Sequence, residues 1–180
     1  MHIILDIDQT LIYTVMKDEI MGLNRNINNL PYHENEHFIT FERPYLQDFL
    51  DFLFSNFEVS IWTHGEEGYA EWVLSKILQG RKVKYLFHRD HCNLSYELYG
   101  NLKDLRMLWD NMKLDFNPSQ TILIDDLESN CSHQPDKCIQ VIPFIPYRRD
   151  NELNRVMNEL KNKSNLANYV PKRSPYKLLT

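Results

Sequence analysis

Three cysteines in 180 residues are too few, and odd in number, for a fold stapled by a disulfide framework. No apolar run approaches the roughly 20 residues that would span a bilayer, so no membrane association is expected. The chain opens Met1-His2-Ile3-Ile4-Leu5 and passes straight into an acidic motif, with neither a basic n-region nor a small-residue cleavage site. The expected location is therefore an intracellular, reducing compartment, cytoplasm or nucleus. Basic residues are also in short supply, with 20 Lys+Arg against 25 Asp+Glu and a net charge of −5. Proteins that hold nucleic acid by neutralising phosphates carry the opposite balance. A nucleic-acid partner is disfavoured, although Arg81, Lys82, Lys84 and Arg89 leave room for a local basic patch. Neither an internal repeat nor a low-complexity tract is visible, and no obligate partner is expected.

What is present is enough for one core: 43% of the residues are hydrophobic and 12% aromatic. Short β-rich runs at 2–7, 58–62, 83–87, 121–124 and 138–144 alternate with amphipathic helical patterns. The helices are expected from Arg43-Pro44 onward, then at about 66–79, 102–112 and 151–161. That alternation predicts an α/β fold, a Rossmann-like parallel sheet with helices on both faces. A single domain is expected over 1–170, followed by a loose basic tail at 171–180. The polar, Asn-rich stretch 14–40 is long for a loop and is read as a small inserted flap over the active edge.

In such a sheet the chemistry gathers at the carboxyl ends of the strands. The first strand ends in Asp6-Ile7-Asp8-Gln9-Thr10. Two carboxylates two residues apart can face one reacting group, one attacking phosphorus while the other protonates the departing alkoxide. Their repulsion of a phosphate calls for a hard divalent cation with oxygen ligands, for which Mg²⁺ is the natural choice. A second pair, Asp125-Asp126, ends another apolar strand and would share that metal if the two strands lie side by side. Taken alone, either pair is an ordinary acidic turn or helix entry; the matching strand ends make them specific.

These segments resemble the haloacid-dehalogenase superfamily of phosphatases. Within it they are similar to the small, NLI-interacting-factor-like phosphatases that act on the C-terminal domain of RNA polymerase II. The resemblance rests on Asp6–Thr10, Arg43-Pro44, Ile61-Trp62-Thr63 with Tyr69-Ala70, Leu86–Asp90, Lys103-Asp104-Leu105 and Ile124-Asp125-Asp126. It implies that Asp6 is the nucleophile of an aspartyl-phosphate mechanism and that Asp8 is the general acid, then the base. It also implies that Mg²⁺ is held by Asp6, the Asp8 carbonyl and Asp126, that Thr63 and Lys103 engage the phosphate, and that Asp125 steadies Lys103. Thr10 and Arg43 fall on the substrate side of the same pattern. The substrate so implied is phosphoserine or phosphothreonine in a protein or peptide. The intervals of about 28 residues before Phe41 and about 40 between Thr63 and Lys103 leave no room for a large cap domain. The family's hydrophobic specificity insertion is expected to be reduced, since 93–100 is short.

Each supporting residue also has a plainer reading. Thr63 with Glu66 forms a capping-box pattern, Lys103 is a solvated lysine, Arg43 is a surface residue before a proline-started helix, and Arg89 pairs with Asp90. His88, His91 and Cys92, with Cys131 and His133, invite a zinc site but lack its spacing. Two alternatives stand beside the protein phosphatase: a nucleic-acid end phosphatase with the same centre, and a non-catalytic protein-binding module.

Overall fold

The computed structural model describes residues 1–19, 30–164 and 166; the expected tail at 171–180 and the middle of the 14–40 flap lie outside the described residues. Its main sheet is built from the β-rich runs read above. These are β1 (His2–Leu5), β5 (Glu58–Trp62), β6 (Leu86–Phe87), β7 (Thr121–Asp125) and β8 (Cys138–Gln140). All neighbours pair in parallel, in the order β6-β5-β1-β7-β8. Burial on both faces explains why the strands are continuously apolar rather than alternating. Ile3 and Leu5 join a cluster with α1 (Leu46–Asn56), α2 (Glu67–Ile77) and α5 (Glu152–Lys163), while Ile4 joins Trp62, Phe87 and Leu108 in the other cluster. That division follows from the two-residue period of a strand.

Two differences from the sequence reading have local causes. The helix expected at 102–112 is reduced to a π-helical turn, Met107–Asn111. Asn101 Oδ1 accepts the Lys103 N–H at 2.9 Å and Asp104 Oδ1 accepts the Arg106 N–H at 2.9 Å. Side chains that bond nearby backbone in this way compete with helix. Conversely, α3 (Arg89–Tyr99) was not foreseen. It is polar, and the side chains it buries fully are only Cys92 and Ser95, so its sequence carries almost no apolar stripe.

The start and end of the 14–40 stretch belong to a three-stranded antiparallel sheet, β2-β4-β3, formed by β2 (Ile12–Met16), β3 (Tyr32–Glu34) and β4 (Phe38–Glu42). Val15 and Phe41 pack on Phe144 beneath it. Between β1 and β2 the chain turns sharply through Gln9, a non-glycine residue at φ 59°. That left-handed conformation costs energy and is tolerated where surrounding contacts over-determine it. Here the Gln9 N–H donates to the Ile12 carbonyl at 2.8 Å, and the Gln9 carbonyl accepts from Phe144 N–H at 2.7 Å. Between Thr63 and Lys103 the chain is occupied by α2, β6 and α3, and no described segment forms a cap domain.

Candidate active site

Because β1 lies between β5 and β7, three strand ends open side by side: Asp6 after β1, Thr63 after β5 and Asp125 at the end of β7. The Asp6 N–H donates to the Ile124 carbonyl at 3.0 Å and Thr63 N–H to the Phe87 carbonyl at 3.0 Å, so the sheet's own ladder extends into the site. A cavity of about 590 Å³ opens there, lined among others by Asp6, Asp8, Thr63, Lys103, Asp125 and Asp126.

Lys103 is the centre of this arrangement. Its ammonium is buried and donates to Asp6 Oδ1 at 2.5 Å and to Asp125 Oδ2 at 2.7 Å. Burial works against the ammonium, but Asp125 and Asp6 outweigh it and hold Lys103 protonated beyond its ordinary range. One ammonium does not neutralise two buried carboxylates; burial pushes the Asp6 carboxyl upward, Lys103 opposes this, and Asp125 adds to it. The backbone carrying Lys103 is itself tied down, since the Gln134 side-chain amide donates to the Lys103 carbonyl at 2.7 Å. The other oxygen of Asp125 accepts from Leu127 N–H at 2.8 Å and from the Asn130 amide at 3.1 Å.

Asp8 is raised by burial, opposed by hydrogen bonds from Tyr69 and Thr63 and by the charge of Lys103. The Tyr69 hydroxyl donates to Asp8 Oδ1 at 2.5 Å. Asp126, raised by burial and by its neighbour Asp125, faces the same cavity. Thr63 Oγ1 accepts the Gly65 N–H at 3.0 Å, which leaves its hydroxyl proton for another acceptor. That turn replaces the capping box the sequence suggested, since the helix N-cap is Glu66.

Two expectations are corrected. Arg43 does not line the cavity: it is 1% exposed, bidentate to Asp150, and donates to the carbonyls of Gln9, Thr10 and Ile142. It ties the loop after Asp8 to residues 142–150 instead of meeting substrate. Thr10 is likewise fully buried, and its hydroxyl reaches Asp126 Oδ1, at 3.5 Å, from behind the site. Arg89 pairs with Glu66 at 2.7 Å rather than with Asp90. The basic patch is largely cancelled: Arg81 pairs with Asp51, Lys84 with Glu58 and Arg89 with Glu66. The cysteines set aside as zinc ligands have other partners: Cys131 is bonded to Cys138, a link the cysteine count did not anticipate, and Cys92 is buried against the Thr63 carbonyl. Asn130 was missed by the sequence reading; it stands on α4 (Glu128–Ser132), the short helix that follows Asp126 and Leu127. Tyr69 was noted only as part of a pattern, and nothing in the polar flap singled out Thr14.

The donor set fits a hard cation. Asp6, Asp8, Asp125 and Asp126 face the cavity against the single buried ammonium of Lys103, and Asn130 Oδ1 is a buried oxygen with no partner among the described residues. Oxygen-only donors with excess negative charge suit Mg²⁺ rather than a thiophilic metal. No three His, Cys, Asp or Glu side chains converge as a ready-made cluster among the described residues. A set in which Asp8 contributes its backbone carbonyl would not form one.

A family profile described as NLI interacting factor-like phosphatase matches residues 1–170. The chain is 34% identical over 172 residues to a putative CTD phosphatase-like protein of Invertebrate iridescent virus 6, covering 89% of this chain and 94% of that one. It is 29% identical over 181 residues to the CTD small phosphatase-like protein 2 of Dictyostelium discoideum, covering 98% of this chain and 30% of that one. The solved structure of Fcp1, an essential RNA polymerase II CTD phosphatase, superposes with a TM-score of 0.56 at 24% identity over 92% of this chain. The fission yeast Fcp1 structure with beryllium fluoride gives the same TM-score at 21% identity. The chain spans about half the length of these solved chains, so they speak to its fold. Among the described residues, no helix is long and apolar enough to cross a membrane.

Proposed function

The chain belongs to the NLI interacting factor-like phosphatase family, and we propose that it is a Mg²⁺-dependent phosphatase acting on phosphoserine or phosphothreonine in a protein or peptide. The observation that carries this reading is the convergence of Asp6, Asp8, Lys103 and Asp126 on one cavity, with Lys103 bridging two neighbouring strand ends.

In this reading Asp6 attacks phosphorus through the oxygen that Lys103 does not hold, forming an aspartyl-phosphate. As the bond from phosphorus to the serine oxygen breaks, protonated Asp8 gives its proton to that oxygen. Asp8, now ionised, takes a proton from the water that attacks the phosphorus of the aspartyl-phosphate, which frees Asp6 and phosphate. Lys103 and the Thr63 hydroxyl neutralise and orient the phosphoryl oxygens, so most of the catalysis is positioning and electrostatics. Asp6, the Asp8 carbonyl and Asp126 would hold Mg²⁺, which when bound supplies the charge that lets a phosphate dianion enter an acidic site. The absence of a cap among the described residues suits a phosphate carried on a macromolecule. The paired state of Arg81, Lys84 and Arg89 favours a peptide over an oligonucleotide.

The test is phosphate release, with Mg²⁺ and with EDTA, from a phosphoserine peptide of the polymerase tail and from a 3′-phosphorylated oligonucleotide. Asp8→Asn serves as the blank. Metal-dependent release from the peptide alone is expected. Release from the oligonucleotide alone would keep the chemistry and reject the substrate class. Release from neither, with the fold intact, would reject the enzyme reading in favour of a binding module.

A further inference from the structure

The hydroxyl of Tyr69 stands at the end of a chain of hydroxyl groups that begins in the flap. Thr40 on β4 and Thr14 on β2 are cross-strand partners, with their Oγ1 atoms 2.7 Å apart. Thr14 Oγ1 lies 2.7 Å from the Tyr69 hydroxyl, which in turn lies 2.5 Å from Asp8 Oδ1. Each hydroxyl has one proton to give, so the direction of the chain can be worked out. An ionised carboxylate only accepts, so the phenol proton goes to Asp8. Thr14 must then donate to the phenol oxygen and accept from Thr40. The reverse order would leave the Thr40 proton without an acceptor among the described residues, and Thr40 is only 1% exposed. A buried donor left unpaired is costly, so the chain runs from Thr40 through Thr14 and Tyr69 to Asp8. Hydrogen bonds aligned in one direction also strengthen one another.

The ring that carries this hydroxyl is held on two sides. Phe38 of the flap packs edge-on against it, with centroids 5.5 Å apart. On another side the chain is glycine at Gly65, where an added Cβ would lie 2.8 Å from Tyr69 Cδ1. The phenol oxygen therefore has little freedom to leave Asp8 Oδ1.

We propose that Tyr69 is a positioning residue for the acid/base carboxyl, pinning Oδ1 of Asp8 through the Thr14–Thr40 hydroxyl pair so that Oδ2 is the oxygen presented to the leaving group and then to water. This rests on the functional reading above and adds to it: the flap sheet, not only the strand-end loop, orients the acid. The role holds in both halves of the reaction, because Oδ1 accepts from Tyr69 whether or not Oδ2 carries a proton.

The experiment separates steps that need an acid from steps that do not. First-turnover rates are measured for a phosphoserine peptide, whose alkoxide must be protonated, and for p-nitrophenyl phosphate, whose phenolate leaves unaided. Tyr69→Phe keeps the ring packing and removes the donor. Its ratio of peptide rate to p-nitrophenolate burst should fall at least about tenfold, a fraction of the 10²–10⁴ that general acid catalysis supplies. Thr14→Val should lower the same ratio by about threefold, consistent with loss of one link, and Thr14→Ser should restore it. Thermal unfolding of each variant checks the fold. An unchanged ratio in a folded, active Tyr69→Phe protein would overturn the role of Tyr69 and leave the phosphatase reading standing. A wild-type protein that turns over neither substrate would overturn the phosphatase reading, and this role with it.

Discussion

Replacing Arg43 by methionine distinguishes a structural tie from a substrate contact. The guanidinium donates to both oxygens of Asp150, at 3.0 and 2.8 Å, and to three carbonyls, at 3.2 Å for Gln9, 2.9 Å for Thr10 and 2.6 Å for Ile142. Methionine fills part of the volume and supplies no donor. Removing one partner of a buried ion pair costs about 3–5 kcal/mol, and the Thr10 and Ile142 carbonyls, which lose their donor while Gln9 keeps that of Phe144, push toward the upper end. For a domain of this size each kcal/mol moves the melting temperature by about 2–4 °C, so a fall of about 6–20 °C is expected. Arg43→Lys should recover only a small part, since one ammonium cannot serve the planar fork of five donors. The assay is thermal unfolding, combined with kcat and KM for a phosphopeptide at a temperature where both proteins are folded. A melting temperature within 2 °C of wild type, together with a raised KM, would refute this reasoning and put Arg43 on the substrate side (a 2 °C shift is under about 1 kcal/mol).

Asp6→Asn should abolish labelling of the protein by a phosphoryl donor, because an amide cannot accept the phosphoryl group; normal labelling in a gel assay would remove Asp6 as nucleophile. Lys103→Met should lower kcat by about 10²–10³, the scale of one lost transition-state donor, and should also destabilise the metal-free protein. The sign of its pH dependence follows from Asp6, whose folded value already lies above its ordinary 3.8 through burial and would rise further without the ammonium. The folded state then holds a proton that the unfolded chain has released, so stability falls as pH rises above about 4. Wild-type Asp6 is itself raised to about 8, so the two proteins lose stability together up to that pH. The deficit relative to wild type should therefore widen only above it, larger near about pH 9 than about pH 6 in urea unfolding, and a deficit that grows on acidification would contradict it. The Cys131–Cys138 bond closes a short loop, with a sequence separation of 7, that contains Gln134, the residue holding the Lys103 carbonyl. Thiol titration of unfolded, oxidised protein should find one thiol, that of Cys92. Reduction should cost about 2–3 kcal/mol; three thiols without reductant would disprove the pairing.

How much of this was legible beforehand depends on the range over which each signal acts. The apolar runs at 58–62 and 121–124 announced β5 and β7 because buried parallel strands must be apolar on both faces. Asp6-x-Asp8 and Asp125-Asp126 stood out because each follows such a run directly. The order of the acidic and basic segments carried the family resemblance. α3 was invisible, since its buried contacts are few and its surface polar, and the 102–112 helix was expected only because its apolar spacing masked the backbone bonds of Asn101 and Asp104.

Composition and local pattern thus determined the class of fold, the ends of the strands and the carboxylates that stand on them, because period and polarity act between residues close in the chain. Which strands lie side by side is a long-range matter. Placing β7 beside β1 brings Asp125 and Lys103 to Asp6, across 97 residues in the case of Lys103 and Asp6. The same is true of Arg43, whose guanidinium matches the carbonyls of two segments far apart in sequence, and of Tyr69, which meets Asp8 only because the flap and α2 close on the same loop. Hydrogen-bond partners of that kind are chosen by the packed geometry, and no spacing in the sequence encodes them.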